Sequence, residues 1–204
     1  RYHPEVLRFF LLTKHYRSPL DYSDSALDEA EKGLRRLYQA LAWAQEALGR
    51  VKWANRELDN ETVAEFERAA ASWTQAMDDD LNTAGAVGHM FTMARIVNRI
   101  LEDKNYRAAS GGRDILQRFV VDFSRWSQVL GVLGQDPKEF LAALRGIRAE
   151  RAGIDTTAVE SMLIDRQDAR KAKDFQASDA IRDQLAAMGV TVRDTAEGQE
   201  WDMA

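Results

Sequence analysis

The stretch ARKAKDFQASDAIRDQLAAMGVTVRDTAEGQEW, residues 169–201, carries two different periodicities separated by one glycine. From Phe175 to Met188 the chain reads as a helix, which Gly189 stops. Beyond it, VTVRD (190–194) alternates apolar and polar side chains, as a half-buried strand does. After TAEG (195–198), QEW (199–201) returns as a paired strand, with Gly198 supplying a positive φ at the turn. Just upstream, Val159, Met162 and Leu163 mark another helix that runs to about Lys173. Two helices and a hairpin make residues 157–204 a small α+β module.

Working outward from this module, the rest of the chain reads as helix. Residues 4–16, PEVLRFFLLTKHY, open on a proline suited to a first helical turn and carry a dense apolar face. RSPLDYSDS (17–25) is punctuation, and Ser23 or Ser25 caps a long helix reaching about Leu48. In it Leu27, Leu34, Leu37, Tyr38, Leu41 and Leu48 recur at helical steps, and Gly49 ends it. A third helix spans about 61–77, with Val63, Phe66, Ala70, Trp73 and Met77 on one side. DDDLNT (78–83) breaks it, and Asn82 or Thr83 caps a fourth helix to about Glu102. Ser110–Gly112 reads as a turn before a fifth helix over 113–132, whose core face is Ile115, Leu116, Phe119, Phe123, Trp126 and Leu130. Pro137 starts a short helix ending near Leu144, and RGIRAERAGIDT (145–156) lacks an apolar period and reads as a linker. The expected fold is therefore mainly α: an antiparallel helical bundle followed by the α+β module. Its divisions are a first helix and connecting segment (1–22), the bundle (23–146), a linker (147–156) and the module (157–204).

Composition narrows the function. With 45% apolar and 30% charged residues among 204, the chain is globular rather than disordered. No apolar run approaches the roughly 20 residues that span a bilayer, so no membrane role is expected. The absence of cysteine removes disulfides, thiolate nucleophiles and cysteine zinc sites, and fits a cytoplasmic protein. Arg1–Tyr2 is not an initiator, so the chain reads as part of something longer. A net charge of −5 argues against nonspecific nucleic-acid binding, DNA included. Basic residues are nevertheless concentrated locally. Arg1, Arg8, Lys14 and Arg17 face only Glu5 within residues 1–20, and 93–125 carries Arg95, Arg99, Lys104, Arg107, Arg113, Arg118 and Arg125.

No catalytic pattern emerges. There is no nucleophile elbow, phosphate-binding loop or dinucleotide glycine motif. Asp78, Asp79 and Asp80 lack a partner cluster and precede a helix start, where negative charge is stabilised by the dipole. His3, His15 and His89 are scattered, so no metal site is expected. The tail is different, because Arg170, Lys171 and Lys173 stand beside Phe175, followed by Asp179, Asp194 and Trp201. Cations for phosphates, rings for stacking and forked groups for base edges are what single-stranded RNA recognition requires. On composition alone the same residues also read as a core ring and a solvated face.

Three stretches carry a resemblance. DARKAKDFQASDAIRDQL and MGVTVRDTAEGQEW resemble the C-terminal module of bacterial cysteinyl-tRNA synthetases. RFFLLTKHYRSPLDYSDSAL (8–27) resembles the segment after that family's catalytic signature loop, and AMDDDLNTAGAVGHMFTMARIVNRI (76–100) resembles its bundle signature. In place of a literal Asp-Ala-Leu-Arg the first helix has Glu5-Val6-Leu7-Arg8, which keeps the acid, the apolar pair and the arginine. The resemblance implies a stem-contacting segment, a helical bundle of the DALR type and a small anticodon-reading domain. The family joins cysteine to its tRNA at the expense of ATP. Its ATP and zinc sites belong to an N-terminal catalytic domain whose signatures are absent here, so this chain alone is expected to be inactive and to hold no cofactor.

By the same resemblance, Arg170 takes the base-reading arginine position, and Phe175 stands where many relatives have tryptophan. Asp179 and Asp194 match acidic positions suited to accept from guanine's ring N–H and amino group. Trp201 matches a closing tryptophan that serves as hairpin anchor, stacking platform or both. Arg166, Lys171 and Lys173 are expected on the RNA backbone. The implied partners are cysteine tRNA and the missing catalytic domain. Two rival readings remain at this level: a related cysteine ligase of thiol biosynthesis, which needs no anticodon-reading tail, and a helical protein-interaction module.

Overall fold

Each element of the chain starts and stops where its capping chemistry dictates. We describe a computed structural model over residues 1–50, 52–54, 57–103, 109–195 and 198–203. Lys104 and Arg107 of the central basic stretch, and residues 196 and 197 of the expected turn, lie outside the described residues. Eight described helices are followed by two strands: α1 (Pro4–Leu12), α2 (Asp24–Arg50), α3 (Asn60–Asp78), α4 (Thr83–Glu102), α5 (Ser110–Leu130), α6 (Pro137–Arg151), α7 (Thr156–Lys171), α8 (Phe175–Ala187), β1 (Val190–Thr195) and β2 (Gly198–Met203). The fold is mainly α with one antiparallel hairpin. It divides into two compact units, Tyr2–Leu141 and Ala142–Ala204, the latter including Arg1.

In the first unit, α2 supplies Leu27, Leu34, Leu37, Tyr38 and Leu41 to the core, while Leu48 is only half-buried. Phe66 and Trp73 of α3 and all six expected residues of α5 are buried as well. Val63 is not: at that end of α3 the buried position is Thr62, and Ala69 joins Ala70 in the inner stripe. Close packing is set at Gly33, where a Cβ would lie 3.2 Å from both Phe9 and Phe91. Those two rings meet edge to face across it, 6.3 Å apart. The break between α3 and α4 is sharp because Asp80 and Leu81 both take positive φ, after which Asn82 caps α4 by accepting from the Gly85 N–H at 2.9 Å.

A buried polar clasp closes this unit. Glu5 accepts from the Leu133 N–H (2.6 Å), the Tyr38 hydroxyl (2.8 Å) and the Gln135 side-chain amide (2.7 Å). Arg8, one turn later on α1, donates to the Gly131 carbonyl at 2.7 Å. Burial first, then the bond to Glu5, pushes the Tyr38 hydroxyl far above its ordinary pKa. Its ring stacks on Phe140 at 3.8 Å. The acid and arginine of Glu5-Val6-Leu7-Arg8 thus tie α1 to the loop that follows α5.

Several sequence expectations about element ends need correction: α1 stops at Leu12 rather than running to Tyr16, and Gly49 lies inside α2, which reaches Arg50. Ser110–Gly112 is the first turn of α5, and Ala109 precedes it without a side-chain cap. Residues 145–151, read as linker, continue α6 to Arg151. Their apolar period is hidden because arginines do the packing. Arg145 covers the Trp201 ring and Arg148 pairs with Asp202 at 2.8 Å, while Ala149 is fully buried. The real stop is Gly153, at φ +71.

The second unit packs α7 and α8 under the hairpin. Ala149, Val159, Leu163, Leu185, Val190 and Trp201 form its core. In the hairpin, Val190 pairs with Met203, Val192 with Trp201 and Asp194 with Gln199. These side chains share one face by strand alternation. Towards the turn that face therefore changes from apolar to polar.

Candidate nucleic-acid interface

The polar end of the hairpin needs a cation beneath it, and α7 supplies one. Val159, Leu163, Arg166 and Arg170 follow each other at steps of four, three and four, so they lie on one stripe of the helix. Where the hairpin face turns from valine and tryptophan to Asp194 and Gln199, the α7 stripe turns from valine and leucine to arginine. Arg166 bridges both strands. It donates to the two Asp194 carboxylate oxygens at 2.8 and 3.2 Å and to the Gln199 side-chain oxygen. Gln199 in turn donates to the Leu163 carbonyl at 3.1 Å. Arg170 closes the group with a 2.5 Å bond to the second Asp194 oxygen.

Exposure separates the members. Arg166 is 4% exposed, whereas the Arg170 and Asp194 side chains are 44% and 47% exposed. Asp194 is held below the usual carboxylate range chiefly by the Arg166 bond, against partial burial that pushes it up, with Arg170 adding to the depression. At neutral pH the rim of the hairpin thus presents an ionised carboxylate paired with an accessible guanidinium. The carboxylate accepts an N–H pair and the guanidinium donates one, which are the two complementary modes of reading a base edge.

A second group lies on α8. Asp174 caps this helix by accepting from the Ala177 N–H at 3.0 Å. Phe175 at its first position is 64% exposed, a large ring facing solvent. Asp179, four residues on, shares that helical face and pairs with Arg182 at 3.6 Å. It lies outside the Arg166–Asp194–Arg170 group. In the tight connection between α7 and α8, Lys173 takes φ +61, and it is exposed. Lys171, also exposed, pairs with Asp168 at 2.9 Å.

Two expected RNA contacts are placed elsewhere. Trp201 is 6% exposed, donates its indole N–H to Glu160 at 2.8 Å and is covered by the Arg145 guanidinium 4.8 Å from the ring centre. That is the environment of a hairpin anchor, and no stacking face is left open. Arg166 is likewise not on the outer surface but inside the module, because its guanidinium is consumed by Asp194 and Gln199. Sequence reasoning missed Gln199 and Glu160. The period of α7 together with the hairpin register was the signal for Gln199, since it falls opposite Asp194.

Asp78, Asp79 and Asp80 separate in role. Asp78 ends α3, Asp79 caps it, and Asp80 accepts from the Tyr16 hydroxyl at 2.8 Å and pairs with Arg17 at 3.2 Å. Among the described residues, no group of three or more His, Asp or Glu side chains is placed to hold a metal ion, and no helix is long and apolar enough to cross a membrane.

Residues 72–134 match the DALR domain, and residues 156–201 match the cysteinyl-tRNA ligase anticodon binding domain. The second match covers α7, α8 and the hairpin almost entirely. Over its full length the chain is 52% identical to the cysteine–tRNA ligase of Solidesulfovibrio magneticus, and over 203 residues 51% identical to that of Maridesulfovibrio salexigens. The cysteine–tRNA ligase of Lawsonia intracellularis is 40% identical over 202 residues. The chain spans 42% of the length of each of these relatives.

Proposed function

The chain belongs, through its DALR and anticodon-binding domains, to the cysteine–tRNA ligase family, and from that premise we propose that its second unit reads the cysteine anticodon. The protein in which this region operates attaches cysteine to its tRNA using ATP, with the chemistry and any zinc carried by the catalytic domain. The first unit docks against the body of the tRNA. Unstacked anticodon bases then meet two surfaces of the second unit: Arg170 with Asp194 at the hairpin rim, and Phe175 with Asp179 on α8. Lys171 at the end of α7 and Lys173 in the connection to α8 neutralise phosphates.

One observation carries this reading. Inside the stretch that matches an anticodon-binding domain, Arg170 and Asp194 meet at 2.5 Å and stay nearly half exposed, and the same stretch carries an unburied phenylalanine, Phe175. Phenylalanine is among the side chains most often buried, so an open ring in this stretch supports a stacking role beside the accessible ion pair's hydrogen-bonding one. Discrimination arises because a wrong base leaves a carboxylate or guanidinium unpaired, at a cost of roughly 1–3 kcal/mol per contact.

The test is a gel-shift titration of the intact chain with cysteine tRNA and with an anticodon-substituted transcript. Wild type is expected to prefer the cognate transcript. Arg170→Ala is expected to lose roughly 1–3 kcal/mol of cognate binding and most of that preference. Equal binding of both transcripts by wild type and variant alike would refute base reading by this unit.

A further inference from the structure

We propose that Arg166, held by Gln199, is a positioning residue for anticodon discrimination: a buried guanidinium that fixes the Asp194 carboxylate so that Arg170 and an incoming base meet it in one geometry. This rests on the reading of Asp194 and Arg170 as base readers and assigns the specificity a source behind them.

Asp194 is the penultimate residue of a short hairpin strand, and a lone carboxylate there has its usual rotational freedom. Arg166 removes that freedom by engaging both carboxylate oxygens, at 2.8 and 3.2 Å, from a fork that is planar and rigid. The fork is fixed in its turn. Gln199, directly across the strands from Asp194, accepts from the same guanidinium nitrogen and anchors its amide on the Leu163 carbonyl at 3.1 Å. The sequence of bonds runs from the α7 backbone through β2, back to α7 and out to β1. Among the described residues its most exposed end is Asp194 with Arg170.

Burial assigns the roles. Arg166, 4% exposed, does not reach a phosphate, yet its Nε has no hydrogen-bond partner among the described residues. Such an arrangement costs free energy relative to a well-packed apolar side chain of similar size. Its return is definition of the site. With Arg166 in place, Asp194 keeps its charge and orientation when Arg170 swings from it to a base, so the binding surface is preorganised rather than assembled by each base.

The experiment compares Arg166→Met, Arg166→Lys and Gln199→Leu with Asp194→Asn in the intact chain. It measures dissociation constants for cysteine tRNA and an anticodon-substituted transcript, alongside the titration of the Asp194 carboxyl by NMR. Arg166→Met is expected to cut the cognate-to-substituted ratio by about tenfold and to return the Asp194 titration towards the ordinary carboxylate range, with the substituted transcript bound within about twofold of wild type. Arg166→Lys, which keeps the charge but loses the fork, is expected to restore the titration but not the ratio. Gln199→Leu should lower the ratio with Arg166 still present, and it decides the question if Arg166→Met does not fold. An unchanged ratio in folded Arg166→Met or in Gln199→Leu, with Asp194→Asn still defective, overturns the positioning role alone. An unchanged ratio in Asp194→Asn itself overturns the base-reading assignment on which it rests.

Discussion

At the scale of single residues, two aromatic side chains in the same module have opposite fates. Phe175 is exposed at the head of α8, and Trp201 is enclosed with its indole nitrogen bonded to Glu160. Phe175→Ala should therefore leave thermal stability within about 0.5 kcal/mol of wild type while weakening RNA binding by roughly 1–3 kcal/mol through lost base stacking. Phe175→Trp should bind at least as well as wild type, since an indole stacks over a larger area. Trp201→Ala should instead lose about 3–5 kcal/mol of folding stability, seen in a denaturant melt, with binding falling only as the module unfolds. Asp194 adds a pH signature. Its folded pKa is depressed, so its contribution to stability is complete above the unfolded carboxylate value of about 3.9 and is lost as pH falls through the lower folded value. The difference in melting temperature between wild type and Asp194→Asn should accordingly shrink below about pH 4. A constant difference down to pH 2 would contradict the Arg166–Asp194 pairing.

At the scale of elements, the clasp around Glu5 makes the strongest demand on stability. Three donors converge on one buried carboxylate: a backbone amide at a positive-φ residue, a phenol and a side-chain amide. Glu5→Ala strands all three and should cost about 3 kcal/mol or more. Tyr38→Phe removes one bond and should cost about 1 kcal/mol. Urea unfolding monitored by tryptophan fluorescence would check both, and a cost below that of Tyr38→Phe for Glu5→Ala would show that α1 is not held this way. Most elements were legible beforehand, because helical periodicity, proline at α1 and asparagine at α4 are local signals. What stayed hidden depended on distant partners. Residues 145–151 look aperiodic until Trp201 and Asp202 are placed against Arg145 and Arg148, and Arg166 looks like a surface cation until the hairpin register puts Asp194 and Gln199 opposite it. Long basic side chains pack with their stems and bond with their tips, so a hydropathy pattern misreads them.

At the scale of the whole molecule, the chain carries net charge −5 and is nevertheless assigned an RNA partner. Long-range attraction then contributes little, and affinity must come from a few close contacts. If Lys171 and Lys173 neutralise phosphates and the Arg170 guanidinium, seated at a base edge, displaces a third counterion, a single-stranded loop should give a log–log salt slope of about −2, from roughly 0.7 per neutralised charge. Neutralising Lys171 and Lys173 together should bring the slope to about −1 and weaken cognate and anticodon-substituted transcripts alike, leaving their ratio intact. Arg170→Ala should change that ratio as well. Titrating the intact chain between low and physiological salt distinguishes this from a docking of the tRNA body that is itself electrostatic, through Arg8, Lys14 and Arg17, or Arg95, Arg99 and Arg118. Those cations are partly committed within the protein: Arg17 to Asp80, Arg99 to Glu65 and Arg118 to Asp122. A slope much steeper than −2, insensitive to the lysine substitutions, would move the electrostatic work to the first unit and leave the hairpin rim with base discrimination alone.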